Sequence, residues 1–166
     1  MLEPLHIVVD SREQDPWSWS PADAITEIAG LSAGDYCLLD DCEEPKKKGQ
    51  LRPVRFALER KSADDLAGTL GAGFERFLRE MTRMEAFCAR IIIVEADYES
   101  FCFREYGGEV HPPEHSHPQM TPAFITRQLS RLSFMNVQIW FAGNAMLASG
   151  VALHLFRERR RMLEGL

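Results

Sequence analysis

Val54-Arg55-Phe56-Ala57-Leu58-Glu59-Arg60-Lys61-Ser62-Ala63-Asp64-Asp65-Leu66 is the stretch that decides how this chain is read. Its first six residues alternate toward their end and read as a strand that returns from a preceding hairpin. Ser62 and Asp65 have the spacing of a Ser-x-x-acid capping box, so a helix starts directly after the strand. Residues two apart in an extended chain share a face. Glu59 and Lys61 therefore project side by side from the point where the strand ends.

Downstream, apolar residues recur at Leu66, Leu70, Phe74, Phe77, Met81, Met84 and Cys88, in steps of four and three. Gly68, Gly71 and Gly73 interrupt them. The pattern predicts a short helix, a break near 71–73 and a longer helix to about Phe87. Ile91-Ile92-Ile93-Val94-Glu95 is a continuous β-branched run that suits a central strand buried on both faces. Residues 98–119 carry three prolines and three histidines without periodicity and read as an excursion loop. Thr121-Pro122 is a helix start, with Phe124, Ile125, Leu129 and Leu132 on the apolar face. Val137–Phe141 is a further strand, and Asn144 caps a last helix whose face includes Leu147, Val151 and Leu155.

Upstream, Leu5–Asp10 reads as a buried strand that ends in a carboxylate. Residues 18–33 look irregular or partly helical and stop at Gly34. Tyr36–Leu39 is a second strand immediately after Asp35. Residues 40–53, with Pro45, Gly49 and Pro53, read as a hairpin loop. The predicted order is strand, strand, strand, helix, strand, helix, strand, helix. It implies an α/β fold with a mixed sheet and helices on its faces.

The chain has 166 residues, which suits one domain over 1–166 and needs no disulfide staple, because a domain of this size buries roughly 68–70% of its unfolded surface. Cys37, Cys42, Cys88 and Cys102 form no CxxC pair and match no zinc spacing. The N-terminus is not a signal peptide, and no apolar run approaches the roughly 18 residues of a membrane span. The expectation is a reduced cytoplasmic protein (nucleoid-associated, or in the host-cell cytoplasm if viral) with no membrane partner and no secretion signal. Net charge is −6, which argues mildly against nucleic acid, but its distribution matters more. Lys46, Lys47, Lys48, Arg52, Arg55, Arg60 and Lys61 face a single acid, Glu59, a local balance of +6. That group reads as phosphate-contacting, since it leads into the Glu59 run. Arg76, Arg79, Arg83 and Arg90 form a second group. Arg157, Arg159, Arg160 and Arg161 form a third, which reads as a solvated helix face.

Three acids stand at strand edges: Asp10, Asp35 and Glu59. Carboxylates from neighbouring strands can hold Mg²⁺ or Mn²⁺, which prefer hard oxygen ligands. Phosphodiester hydrolysis needs a polarised phosphate, a hydroxide-like nucleophile and a cation for the developing charge. A nearby lysine can orient water or stabilise that charge. Asp…Glu-x-Lys is thus a minimal phosphodiesterase kit, although an acid two residues before a lysine is equally the pattern of a surface ion pair.

Gly34-Asp35, then Glu59-Arg60-Lys61, three residues and Asp65, resembles the Gly-Asp…Glu-Arg-Lys-x-x-x-Asp signature of the XPF-type structure-specific endonucleases. Val8-Val9-Asp10-Ser11-Arg12-Glu13 is similar to the start of that nuclease domain. Arg76–Met84 looks like its following helix, with Glu80 where the family often has glutamine. The resemblance spans about residues 5–160. It implies a restriction-endonuclease-like three-layer α/β/α fold with a central mixed sheet. It also implies a metal-dependent endonuclease acting on DNA, with branched or junction-containing DNA as the expected substrate. The alternatives are a non-catalytic DNA-binding or scaffold subunit, or a resolvase or repair nuclease with another DNA substrate. By this resemblance Asp35 and Glu59 are the principal Mg²⁺ or Mn²⁺ ligands and Asp10 is a supporting or second-metal ligand. Lys61 acts on the water or the phosphate, and Arg60 helps through its backbone or through DNA. Asp65 is either part of the motif or the helix cap. Lys46, Lys47, Lys48, Arg52, Arg55, Arg76, Arg79 and Arg83 are the expected DNA contacts. The helix-hairpin-helix module usual after this domain does not follow before Leu166, which points to a stand-alone form needing a homodimer or partner protein.

Other signals read more plainly. His111, His115 and His117 match no metal template and belong to a loop. His6 and His154 are expected at core or boundary positions. Trp17 and Trp19 are read as cover over the first strand, with base stacking as the alternative. Phe134, Met135, Trp140 and Phe156 supply core, or contacts of a dimer.

Overall fold

The computed structural model describes residues 3–43, 50–102, 104–106, 109–111 and 120–165, with backbone alone at 104–106 and 109–111. In chain order the strands are β1 (Leu5–Asp10), β2 (Ala24–Leu31), β3 (Tyr36–Leu38), β4 (Cys42–Glu43), β5 (Gln50–Pro53), β6 (Phe56–Lys61), β7 (Ala89–Val94), β8 (Arg104–Tyr106), β9 (Glu109–His111) and β10 (Val137–Phe141). The helices are α1 (Ala63–Leu70), α2 (Phe74–Arg83), α3 (Tyr98–Cys102), α4 (Pro122–Phe134) and α5 (Ala145–Glu164). A 3-10 turn, Leu39–Asp41, links β3 to β4. Eight strands make one sheet in the order β10-β7-β6-β3-β1-β2-β5-β4, and β8 and β9 pair apart from it. Within the large sheet β3 runs against β1 and β6, and β4 runs against β5; the other neighbours are parallel.

The strand period divides the core in two. Val8, Cys37, Ala57, Ile92 and Val94 face one side, where they pack with Leu66 and Leu70 of α1, Phe74, Phe77 and Met81 of α2, Phe101 of α3, and Ile125 and Leu132 of α4. Ile7, Val9, Tyr36, Leu38, Phe56, Leu58, Ile91 and Ile93 face the other, against Ala148, Ala152, Leu153 and Phe156 of α5. Alternation on buried strands with helices over both faces gives three layers, α/β/α, as expected. The mixed sheet places the C-terminal ends of β1, β6 and β7 and the start of β3 along one rim.

Several local expectations hold. Ser62 caps α1, accepting the Asp65 N–H. Thr121 and Asn144 cap α4 and α5 in the same way. Trp17 stacks on Tyr36 at 4.6 Å between ring centroids, and Trp19 meets both rings edge-on, so the tryptophans are cover rather than open platforms.

Other expectations are corrected. Residues 24–31 form a strand, not an irregular or helical stretch. Most of β2 is exposed or half-buried, so it lacks the alternation that marks a strand in sequence. The second helix ends at Arg83 rather than near Phe87, because the Met84 and Glu85 N–H groups turn back to Met81 and Thr82. Residues 40–53 contain a strand pair, β4 and β5, and the excursion contains α3 and the β8–β9 pair. His6 and His154 are exposed. Of the third basic group, Arg159 is buried and bonds Asp41 through two donors at 2.7 and 2.6 Å, which fixes α5 to the turn after β3. Phe134 is 91% exposed and Trp140 half-exposed, whereas Phe156 is core.

Gly34 sets the entry to β3. Its φ is +72°, and a Cβ there would stand 2.6 Å from the Ala57 Cβ. Gly34→Ala should lower unfolding free energy by about 2–5 kcal/mol, from the left-handed backbone and the overpacking together. Urea denaturation measures it, and a change within experimental error would show that the turn is not constrained as described.

Candidate active site

The rim gathers the predicted acids by backbone geometry. The Asp10 N–H donates to the Asp35 carbonyl at 2.8 Å, and the Asp35 N–H donates to the Leu58 carbonyl at 2.8 Å. Asp35 is therefore held between the ends of β1 and β6. Its Oδ2 accepts the Arg60 N–H at 2.8 Å. Following the alternation of β6 from Ala57, Glu59 and Lys61 fall on the α1–α2 side of the sheet and Arg60 on the α5 side. Lys61 Nζ donates to Glu59 Oε1 at 2.6 Å and lies 5.9 Å from the centroid of the Phe77 ring of α2. Among the described residues, neither Asp35 Oδ1 nor Glu59 Oε2 takes a hydrogen bond.

Electrostatics sharpen this picture. Burial, and after it the neighbouring Glu59 charge, pushes the Asp35 carboxyl up to about 8, against the pull of the Arg60 N–H and Lys61. Burial also raises Glu59, with Lys61 working in the opposite direction. Burial alone would lower Lys61, but the attraction of Glu59 more than offsets it, so the ammonium stays charged. The rim thus sets two carboxyls that are hard to ionise beside one lysine that stays charged.

The remaining predicted residues fall in different places. Asp10 reaches the same rim, buried, but both its oxygens are bound by the Arg12 guanidinium, which also donates to the Leu31 carbonyl at 3.0 Å. Among the described residues no three His, Cys, Asp or Glu side chains cluster to hold a metal ion. The Arg60 guanidinium points away from the acids. It bonds Glu95 at 2.8 and 2.9 Å and Glu13 at 3.0 Å, and these partners hold its charge firmly although burial opposes it. Asp65 is exposed at the start of α1, where it accepts the Ser62 hydroxyl at 2.7 Å.

Arg76, Arg79 and Arg83 are exposed on α2, one stripe at spacings of three and four that also includes Glu80. Lys46, Lys47 and Lys48 lie outside the described residues. Arg52 is exposed and paired with Glu43 at 2.7 Å, on a strand separated from β6 by β3, β1 and β2. Arg55 precedes β6, at the opposite end from Glu59. Four extended residues, about 13 Å, separate them, so Arg55 stands away from the site.

Sequence reading missed two parts of this cluster. Glu95 receives Arg60 and also the Trp17 indole N–H at 2.6 Å, locking the loop after β1 to the end of β7. An acid closing a fully apolar strand was its only signal. Glu80 is half-buried, and its charge raises Glu59 and reaches Lys61 and Arg12. Its departure from the expected glutamine was the signal.

A carboxyl raised on folding stays protonated in the native state over a range where the unfolded chain has lost its proton. Its stabilising effect is complete below an unfolded pKa of about 3.9 and is lost as pH rises toward about 8. Asp35→Asn should therefore gain stability over the wild type as pH rises through that window. Urea midpoints across the range provide the check; a constant difference would mean that Asp35 is not desolvated as described.

A family model for the ERCC4 domain matches residues 9–151. No curated protein matches the chain. Among solved structures, XPF from Aeropyrum pernix is similar, with a TM-score of 0.58 and 19% identity over 96% of this chain and 67% of that one. At that identity the likeness concerns the fold alone, a mixed-sheet α/β architecture. With a family match over most of its length and the Gly34-Asp35 and Glu59-Arg60-Lys61 elements assembled on one rim, the chain belongs to the ERCC4-domain, XPF-type nuclease family.

Proposed function

We propose that the protein is a Mg²⁺- or Mn²⁺-dependent endonuclease that hydrolyses phosphodiester bonds in DNA, with branched or junction-containing DNA as its substrate class. The observation that carries this reading is the placement of Asp35 and Glu59 on neighbouring strands, with Lys61 Nζ held 2.6 Å from Glu59 Oε1. The donor set suits a hard divalent cation: two oxygen-donor side chains on adjacent strands, each with an oxygen left open among the described residues. Asp35 and Glu59 are the proposed ligands. Asp10 can join them only if Arg12, whose side chain is 74% exposed, swings off it. A bound cation supplies Lewis acidity toward the phosphate and lowers the pKa of a coordinated water.

The chain's own residues provide the rest. Lys61 acts as a cation rather than a base. Its ammonium, fixed against Glu59, is placed to contact the phosphate oxygens as charge builds on them. Arg60 is a positioning residue: its backbone N–H orients Asp35, and its side chain anchors the strand end to Glu95 and Glu13. Arg76, Arg79 and Arg83 offer phosphate contacts on the helix beside the site. Retention of Asp35, Glu59 and Lys61 favours this reading over a scaffold subunit.

Asp35→Ala, Glu59→Ala and Lys61→Ala should each reduce cleavage more than about 100-fold while preserving the circular dichroism spectrum. Labelled linear, flap, splayed and four-way DNA incubated with Mg²⁺, Mn²⁺ or EDTA tests substrate and metal together. Equal cutting of all four would remove the branch preference, and cutting in EDTA would remove the metal. In calorimetric titration, Mn²⁺ should bind the wild type and bind far more weakly to Asp35→Asn.

A homodimer, or a complex with a protein partner, is proposed through the face bearing Phe134 and Trp140. Trp140 lines an open groove of about 660 Å³ between α4 and β10, and Phe134, outside that lining, is exposed at the C-terminal end of α4. Phe134→Glu should convert a sedimenting dimer to monomer; an unchanged sedimentation coefficient would place the contact elsewhere.

A further inference from the structure

Cys37 and Cys42 are brought together by a short structural detour. Cys37 is the middle residue of β3 and fully buried, while Cys42 opens β4 and is half-buried. Between them the chain makes the 3-10 turn Leu39–Asp41. The turn is pinned on three sides: Arg159 grips the Asp41 carboxylate, the Asp41 carbonyl accepts the Val54 N–H at 3.0 Å, and the Cys42 N–H closes on the Leu39 carbonyl. The two sulfurs end 3.2 Å apart, with the Cys42 thiol donating to the Cys37 sulfur. A disulfide bond is about 2.0 Å long, so closure requires the sulfurs to approach by only about 1 Å. The nuclease chemistry uses neither thiol.

We propose that Cys37 and Cys42 form a reversible dithiol–disulfide couple, oxidised by low-molecular-weight disulfides of the glutathione type. Access sets the order of events. The half-buried Cys42 thiol gives its proton to solvent and its sulfur attacks one sulfur of the oxidant, forming a mixed disulfide and releasing one glutathione thiolate, which takes up a proton. The buried Cys37 sulfur then attacks the Cys42 sulfur, and its proton leaves on the glutathione that departs. Two protein thiols are oxidised and one external disulfide is reduced to two thiols. The bond would tie the strand that follows Asp35 to β4, the partner of the strand bearing Arg52.

The test uses the folded full chain, with oxidised glutathione as the probe, followed by acid quench, alkylation, intact-mass measurement and peptide mapping. The expected result is a mass loss of two hydrogens, a cross-linked peptide joining Cys37 to Cys42, and reversal by dithiothreitol. The exposed Cys88 is a separate thiol; it should carry only a glutathione adduct, and Cys88→Ser should leave the cross-link unchanged. Cys37→Ser should instead hold a stable glutathione adduct on Cys42, because the resolving sulfur is gone. If that variant does not fold, the peptide map of the parent protein decides alone. A persistent adduct on Cys42 in the parent, a cross-link through Cys88, or a pair left reduced while Cys88 reacts would each overturn the proposal.

Discussion

The structure depends on keeping the Asp35 carboxylate against the backbone of β6. Two hydrogen bonds do this, one from the Asp35 N–H to Leu58 and one from the Arg60 N–H to the carboxylate itself. They are made by backbone groups, so the position of the acid is set by strand pairing and not by the identity of its side-chain neighbours. Strand pairing in turn needs β3 to enter between β1 and β6, and the left-handed turn at Gly34 with its close approach to Ala57 makes that entry. The cost appears in the acid's proton affinity. A carboxylate taken partly out of water beside Glu59 becomes hard to ionise. Such a site is less stable than it would be with a neutral side chain, and it gains most from a bound cation.

Three consecutive residues, Glu59, Arg60 and Lys61, serve two layers of the molecule because a strand alternates. Glu59 and Lys61 turn toward α2 and form the charged face of the site. Arg60 turns to the α5 side, where Glu95, Glu13 and the Trp17 indole complete a partly buried polar network. That network joins the loop after β1, the end of β6 and the end of β7. Its members satisfy one another, so it fixes the rim without leaving a buried charge unpaired. Arginine suits the position because its planar fork reaches both Glu95 oxygens and Glu13 together.

Much of this was legible in the sequence because strands buried on both faces and capped helices announce themselves. Ile91–Val94, the Ser62 cap and the Thr121-Pro122 start all fell where their side chains dictate. The order of strand-end acids, Asp10, Asp35 and Glu59, also survived folding as one rim. What was not legible had physical causes. β2 has solvent over much of its length and so carries no alternation, and its exposed Ile25 and Ile28 resemble loop residues on paper. The positive run before Glu59 looked contiguous with the site, but a strand carries its two ends apart, leaving Arg55 at the far side. Arg12 on Asp10 and Arg60 on Glu95 are pairings made by tertiary placement, which spacing along the chain does not encode.

The charge on α2 shows how close the electrostatic balance at the rim is. Glu80 adds a negative charge to a site that already holds Asp35 and Glu59, and it pushes Glu59 further toward its protonated form. The same charge helps hold Lys61 as an ammonium. A glutamine at this position would supply neither effect. Glu80 therefore makes the rim more attractive to cations and less so to phosphate, and Arg76, Arg79 and Arg83 stand on the same helix stripe to counter the second tendency at the surface. Under the proposed function, the affinities for a cation and for DNA would both be set by neighbouring residues on one helix. The division works because Glu80 is half-buried, where its field is weakly screened, while the arginines are exposed, where solvent and salt limit their reach to phosphates that come into contact.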